Sequence, residues 1–359
     1  MLDYAQAFRG TTWFDVLPRS AARPELAARV LLHAGPPFRG PPPEPVVNAA
    51  IQALCFEGLA SNIAAARDLL RHGRVQLEPA QDHGIATPLA QVVSASMLLV
   101  AVRQQGHTRY APIVEGAAPA LRFGSADPDC RRRLEEWGAW TLGAVAASVH
   151  RAPLAVDEVI RSAVAAGDEC HARTGAATQA MVSRLSGLDP DAAIRLRANA
   201  AFVLPVLMAA AAAALAAHDS TIEAVGGNGV DFGVRRRGEP RWRHVPAEPP
   251  HGPRFPGLET AVPLGAIGDS AVIDFCGLGG QALPAAPLLA AEWGELLPAD
   301  ALRRREVLVD PHSGIVDPAR IVRAAVAPLI NLAIIDRRGA LGLIGRGFYA
   351  SPPRLFSAS

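Results

Sequence analysis

The sequence contains no lysine: all 35 basic residues among its 359 are arginine. That absence excludes a lysine Schiff base, a pyridoxal phosphate anchor and a P-loop, each of which needs the ε-amine. Any bound anion must be met by arginine, whose planar fork grips phosphate and carboxylate, or by backbone amides. Aromatic residues are scarce at 5%, while half of the residues are hydrophobic. The apolar surplus is mostly alanine, which favours a helix-rich interior of small side chains in close contact. A strong charge of either sign is missing too; a formal net charge of +1 offers no basic surplus for nucleic acid. The arginine bias also fits a GC-rich coding sequence, since alanine, glycine and proline are abundant with it.

Cysteine is sparse and scattered. Cys55, Cys130, Cys170 and Cys276 form no C-x-x-C pair, which argues against a zinc ribbon or disulfide framework and fits a reducing compartment. The residues from Met1 to Arg9 carry acid and amide where a signal peptide needs a continuous apolar core, so a cytoplasmic location is expected. One apolar run, Ala200 to Ala217, is long enough on paper to approach a bilayer span. Alanine contributes little to insertion, Pro205 interrupts the run, and no aromatic belt or basic flank adjoins it, so a buried helix is expected and a membrane is not.

The length suits two or three lobes at roughly 100 to 200 residues per domain. The pattern predicts an α+β fold in which two mixed α/β lobes, 1–125 and a glycine-rich 220–359, flank a small helical domain at 126–219. In the first lobe a strand over Arg29–His33 must stop at Gly35-Pro-Pro37, and helices follow over about Val46–Leu59 and Ile63–His72. Strands are expected at Val75–Glu78, Val92–Val102 and Ala111–Val114, with the turn Gln81-Asp-His-Gly84 between the first two. Helical periodicity then runs from Asp127 to Leu215, opened by Asp127-Pro128, broken near Pro153 and Gly167, and reopened by Asp189-Pro190. Asp317-Pro318 introduces a late helix, and a strand pair surrounds Arg337-Arg-Gly339.

Three segments could carry chemistry. In Gly167-Asp-Glu-Cys-His-Ala-Arg173, a helix would place Asp168 and His171 on one face at i, i+3, beside Glu169 and Arg173; that spacing suits proton transfer or a metal, and equally a solvated helix end with ordinary ion pairs. Gly226-Gly-Asn-Gly-Val-Asp-Phe-Gly233 has Asn228 and Asp231 as its only polar side chains, in a glycine-dense turn that could bring backbone amides to an oxyanion or could be a plain turn. Gly268 to Gly280 sets Asp269 and Ser270 ahead of a glycine-rich loop without the G-x-G-x-x-G spacing, a weak nucleotide signal and a plausible phosphate or carboxamide cradle. His33, His83, Glu115 and Arg122 are isolated polar residues of lesser weight.

Taken in order, His33-Ala-Gly-Pro-Pro37, Glu57-Gly58, Val114-Glu-Gly116 with Leu121-Arg-Phe-Gly124, Gly167-Asp-Glu-Cys-His171, Asn228-Gly229 with Phe232-Gly233, Gly268-Asp-Ser270 and Gly279-Gly280 resemble the AllG-like family, subunits of oxamate carbamoyltransferase. The resemblance is collinear from about Trp13 to the C-terminus. It implies α+β lobes around a small helical domain and a phosphorolytic carbamoyl transfer, in which oxalurate and phosphate give oxamate and carbamoyl phosphate. It also implies partners: an FdrA-type subunit related to acyl-CoA synthetases, and a third subunit. On it, Asp168, Glu169 and His171 would move a proton or hold a divalent metal, and no cofactor is certain. His33, His83, Glu115, Arg122, Arg173, Asn228, Asp231, Asp269 and Ser270 would bind a ureido or carboxamide substrate and phosphate. Self-association is left open.

This sequence also departs from the family pattern. The resemblance implies a further N-terminal lobe ahead of the point where this sequence starts, so that lobe is expected to be missing here. The family's histidine-rich turn leading to Gly-Pro-Met reads Gln81-Asp-His-Gly-Ile-Ala-Thr-Pro-Leu89; its Asn-Glu-Gly reads Val114-Glu-Gly116; its Gly-Asp-Glu-x-His-Asn-Arg-Asn ends here as His171-Ala-Arg-Thr174; and its Arg-Asn-Gly reads Gly227-Asn-Gly229. These losses of polar side chains point to a changed acceptor or a changed job. A noncatalytic assembly subunit and an enzyme of specialised metabolism are the competing expectations.

Overall fold

The computed structural model describes residues 3–357. It is an α+β structure built on small sheets. The first is wholly antiparallel, in the order His107–Pro112, Leu98–Gln104, Thr12–Pro18, Leu154–Ala155. The second orders Ile267–Gly268, Ile222–Asn228, Asp231–Arg236 and Arg243–Pro246, again antiparallel. Val30–His33 and Gln76–Pro79 pair in parallel, and the two helices between them in the chain, Glu44–Phe56 and Ile63–Arg71, supply the long crossover that such a pair needs. Leu329–Ile335 and Leu343–Ala350 form a hairpin.

The alanine-rich run forms the Leu204–Ala217 helix, and every residue from Pro205 to Ala216 is buried. Pro205 sits in its first turn, where its missing N–H breaks no hydrogen bond, so the helix begins there and not at Ala200. Methyl side chains let it lie close against the Leu98–Gln104 and His107–Pro112 strands and the Ala271–Phe275 helix. Among the described residues no helix is long and apolar enough to cross a membrane. The largest core cluster takes side chains from Ala5, through Met181 and Leu207, to Phe356. A second core, from Ala22 to Leu134 with Leu264, Ile267 and Ile335, lies around the parallel pair.

Several expected elements are displaced, each for a local reason. The strand predicted over Val92–Val102 begins only at Leu98, because Ser94 and Ser96 turn the chain and donate to the Glu57 carboxylate. The strand placed at Ala111–Val114 is His107–Pro112, returning through a hairpin turn whose residues Gln105 and Gly106 both have positive φ, 47° and 85°. The predicted Asp317-Pro318 helix start is present, with the Asp317 carboxylate accepting from Ala319 N at 2.8 Å. The turn at Arg337-Arg-Gly339 is organised by Asp336, whose carboxylate accepts from Arg338, Ala340 and Leu341.

Candidate functional site

The segment after Gly167 is not helical. Gly167, at φ 81°, ends the Val156–Ala165 helix, and residues 168–174 form a buried loop in which Cys170 also takes positive φ. The two carboxylates explain why. Asp168 accepts from the backbone N–H of Cys170 and of Ala177, and Glu169 accepts from those of Ala172 and Arg173, so both hold the loop's own amides in place of a helix ladder. The expected i, i+3 face of Asp168 and His171 is therefore replaced by a different pairing.

His171 points its Nδ1 at Asp274 Oδ2, 2.8 Å away. The other oxygen of Asp274 accepts from Gly280 N at 2.7 Å and Asn331 N at 3.0 Å, which fixes the carboxylate in its plane. Gly279 makes this fit possible: a Cβ on it would lie 2.1 Å from Asp274 Oδ1 and 3.2 Å from His171 Cβ. Asn331 donates through Nδ2 to Glu169 at 2.9 Å, while its Oδ1 is buried without a partner. A carboxylate on Nδ1–H leaves Nε2 as the reactive nitrogen, and no described residue hydrogen-bonds to Nε2 of His171. Burial works against protonation of this imidazole, but Asp274, through its charge and hydrogen bond, together with Glu169, outweighs it and raises the pKa. Burial pushes the Glu169 carboxyl up to about 7, against the hydrogen bonds it accepts and the His171 charge.

His171 and Asn331 line a cavity of about 110 Å³, together with Arg122, Ser270 and Arg346. Arg122 is buried; it donates to Gly116 O, stacks 4.3 Å above the Phe123 ring, and leaves Nη1 without a hydrogen bond, 3.9 Å from Glu115 Oε2. Burial lowers its pKa to about 10, with Glu115 opposing and Arg133 and Arg346 adding to the fall, so it stays a cation at neutral pH. Arg346 is exposed and makes no ion pair among the described residues. It also lines an outer cavity of about 420 Å³ that includes Asp168, Arg173 and Glu292. Ala172, Thr174 and Ala201 are shared with the inner cavity, so the outer one is its vestibule, with the Arg173–Glu292 ion pair at 3.0 Å on its wall.

Of the residues singled out from sequence, the structure gathers His171, Arg122 and Ser270 on the inner cavity and Asp168 and Arg173 on the vestibule, with Glu169 and Glu115 directly behind them. The others lie elsewhere. Asp269 is buried and accepts from Gly35 N, Thr87 N and the Gln81 amide, joining three loops; burial raises its pKa to about 7, against these same three hydrogen bonds. Asn228 donates to Pro36 O and accepts from Val230 N and Asp231 N, closing the hairpin turn, and Asp231 pairs with Arg39 at 2.9 Å. His33 is buried, with Nδ1 on Ala34 O, its ring on Phe38, and a pKa that burial lowers to about 4. His83 pairs with Glu78 at 2.7 Å. Sequence reasoning missed Asp274, Asn331 and Arg346. The first two carried a faint signal: each is a lone polar residue inside an apolar run, Ala271–Phe275 and Leu329–Ile335, where burial demands a partner. Among the described residues no group of three or more His, Cys, Asp or Glu side chains could hold a metal ion.

Residues 75–270 match the family model described as oxamate carbamoyltransferase subunit AllG, a stretch that includes Arg122, His171 and Ser270. The chain is 29% identical to the uncharacterized protein YahG of Escherichia coli (strain K12), over 92% of this chain and 77% of that one. It is 28% identical to the oxamate carbamoyltransferase subunit AllG of the same organism, over 96% of this chain and 91% of that one. A crystal structure of a conserved protein of unknown function from Enterococcus faecalis V583 superposes with a TM-score of 0.83 at 26% identity, covering 99% of this chain and 94% of that one.

Proposed function

The chain belongs to the AllG family, and from that membership we propose that it is a component of a carbamoyltransferase whose reaction takes place in the cavity of His171, Arg122 and Asn331. The observation that carries this reading is the set of groups on one small cavity: a buried guanidinium whose Nη1 has no hydrogen bond, a buried amide oxygen without a partner, and an imidazole whose Nδ1 is held by a carboxylate while Nε2 has no partner among the described residues. Their complement is a small molecule with an anionic end for Arg122 and an N–H for Asn331 Oδ1, which is the make-up of an oxamate or ureido acid.

In the transfer itself, phosphate oxygen attacks the terminal carbamoyl carbon of oxalurate and the bond from that carbon to the oxamyl nitrogen breaks. Carbamoyl phosphate and oxamate are formed, and the proton that phosphate loses ends on the departing nitrogen. His171 Nε2 would carry that proton, a role supported by its raised pKa, which favours the imidazolium that delivers it. Arg122 holds the carboxylate end in the inner cavity. Arg346, shared by cavity and vestibule, meets the phosphate arriving from outside. The vestibule wall is where a partner subunit, of the FdrA type or the third subunit, would meet the site.

Calorimetric titration of the purified chain with oxamate tests the reading. Binding to the unmodified protein, weakened about tenfold or more by Arg122→Gln, is expected; equal binding by both proteins would place the ligand elsewhere.

A further inference from the structure

Arg122 separates the proposed reaction cavity from a second one. On its far side, 3.9 Å from Nη1, lies Glu115 Oε2, and Glu115 lines a distinct cavity of about 280 Å³ walled by Phe56, Met97, Leu134 and Trp137. In a chain with 35 arginines, none lines this space, and no histidine does. Its polar groups are Gln91, Ser96, Glu115 and Glu135. Gln91 and Glu115 are each 1% exposed, and each leaves one oxygen, Gln91 Oε1 and Glu115 Oε2, buried without a hydrogen-bond partner. Gln91 is held with its amide nitrogen toward Ile113 O, and Glu115 Oε1 accepts from Leu121 N; the other oxygen of Glu115 has only the Arg122 charge, 3.9 Å away and too far for a hydrogen bond. Buried acceptors without donors are costly and uncommon, and two on one apolar cavity call for a ligand that supplies the donors.

From this arrangement we infer that the cavity binds a small amphipathic organic cation, with an apolar or aryl body and a planar amidinium or guanidinium head. The head donates to Gln91 Oε1 and Glu115 Oε2. The body lies among Phe56, Met97, Leu134 and Trp137, with Glu135 at the rim, 55% exposed and 3.9 Å from Arg131. A cation held by Glu115 loosens that carboxylate's hold on Arg122 and leaves Nη1 freer for an anion on the other side. The two sites are then positively coupled, and the coupling is reciprocal. The coupling rests on the reaction-cavity reading above; the binding does not.

Benzamidine, with benzamide as its neutral counterpart, probes the site by calorimetry on the full chain. Benzamidine is expected to bind about tenfold or more tightly than benzamide, and Glu115→Gln to erase that preference. Gly138→Leu is the second variant: a Cβ at Gly138 meets only Leu98 Cδ1, at 3.8 Å, so a leucine fills the cavity while improving helix propensity. It is expected to abolish benzamidine binding without lowering the melting temperature. No benzamidine binding to the unmodified protein, equal affinity for benzamide, or full binding by Gly138→Leu would overturn the inference. Saturating oxamate is expected to tighten benzamidine binding about threefold or more; unchanged affinity with the binding itself intact would overturn the coupling alone.

Discussion

His171 and Asp274, 103 positions apart in the chain, meet through a 2.8 Å contact between Nδ1 and Oδ2, and the same aspartate holds the backbone of Gly280 and Asn331 with its other oxygen. One carboxylate thus sets the tautomer and tilt of the imidazole and the position of the asparagine beside it. Asp274→Asn would keep the volume and remove the charge. Carbamoyl transfer by the assembled complex is expected to fall about 10²- to 10⁴-fold, and the His171 pKa, followed by NMR, to drop from its raised value. An unchanged pKa would mean that the contact does not act on the imidazole.

Gly279→Ala tests how tightly this pair is packed. The added Cβ would lie 2.1 Å from Asp274 Oδ1, at a residue whose φ of 53° already suits glycine. A loss of about 1–3 kcal/mol in unfolding free energy is expected, with activity falling in parallel. Denaturant melts that overlay those of the unmodified protein would show that the pair is looser than the distances indicate.

Arg122 and Arg346 are expected to separate in steady-state kinetics. Arg346→Gln should raise the KM for phosphate while leaving that for the ureido acid nearly unchanged, and Arg122→Gln should do the reverse, each by about tenfold. A rise in the same KM for both would merge the two roles.

Stability should depend on pH through Glu169 and Asp269, whose carboxyls burial raises to about 7. A pKa higher in the folded than in the unfolded chain means that the folded state binds more protons between the two values. The contribution is therefore complete below the ordinary carboxyl value, about 4, and is lost as pH rises through about 7. His171, also raised, acts in the same direction, with its share complete below its ordinary value and lost as pH rises past its folded one. Denaturant midpoints are expected to fall from pH 5 to pH 8, and Glu169→Gln to flatten the slope; a rising curve with no effect of the variant would contradict the burial argument.

Much of the scaffold could be read from sequence because local chemistry decides it. The Asp317-Pro318 cap, the turn at Arg337-Arg-Gly339 and the buried alanine-rich helix each depend on residues within a few positions. The site depends on distant ones. Gly167-Asp-Glu-Cys-His171 carries helical spacing, yet its carboxylates cap their own loop, and the partner of His171 comes from a short helix 103 positions on. Asn228 and Asp269 read as ligand groups because they stand among glycines; there they bind backbone amides at the approaches that those glycines allow, as where Gly226 comes against Asp269.

The measurement that bears most directly on the account is carbamoyl phosphate formation from oxalurate and phosphate by the chain assembled with its partner subunits, with His171→Asn compared against the unmodified protein. A fall of about 10²- to 10⁴-fold, with assembly and oxamate binding retained, is predicted. Full activity of the His171→Asn complex would contradict it and make this chain an assembly subunit whose cavity is not the place of reaction.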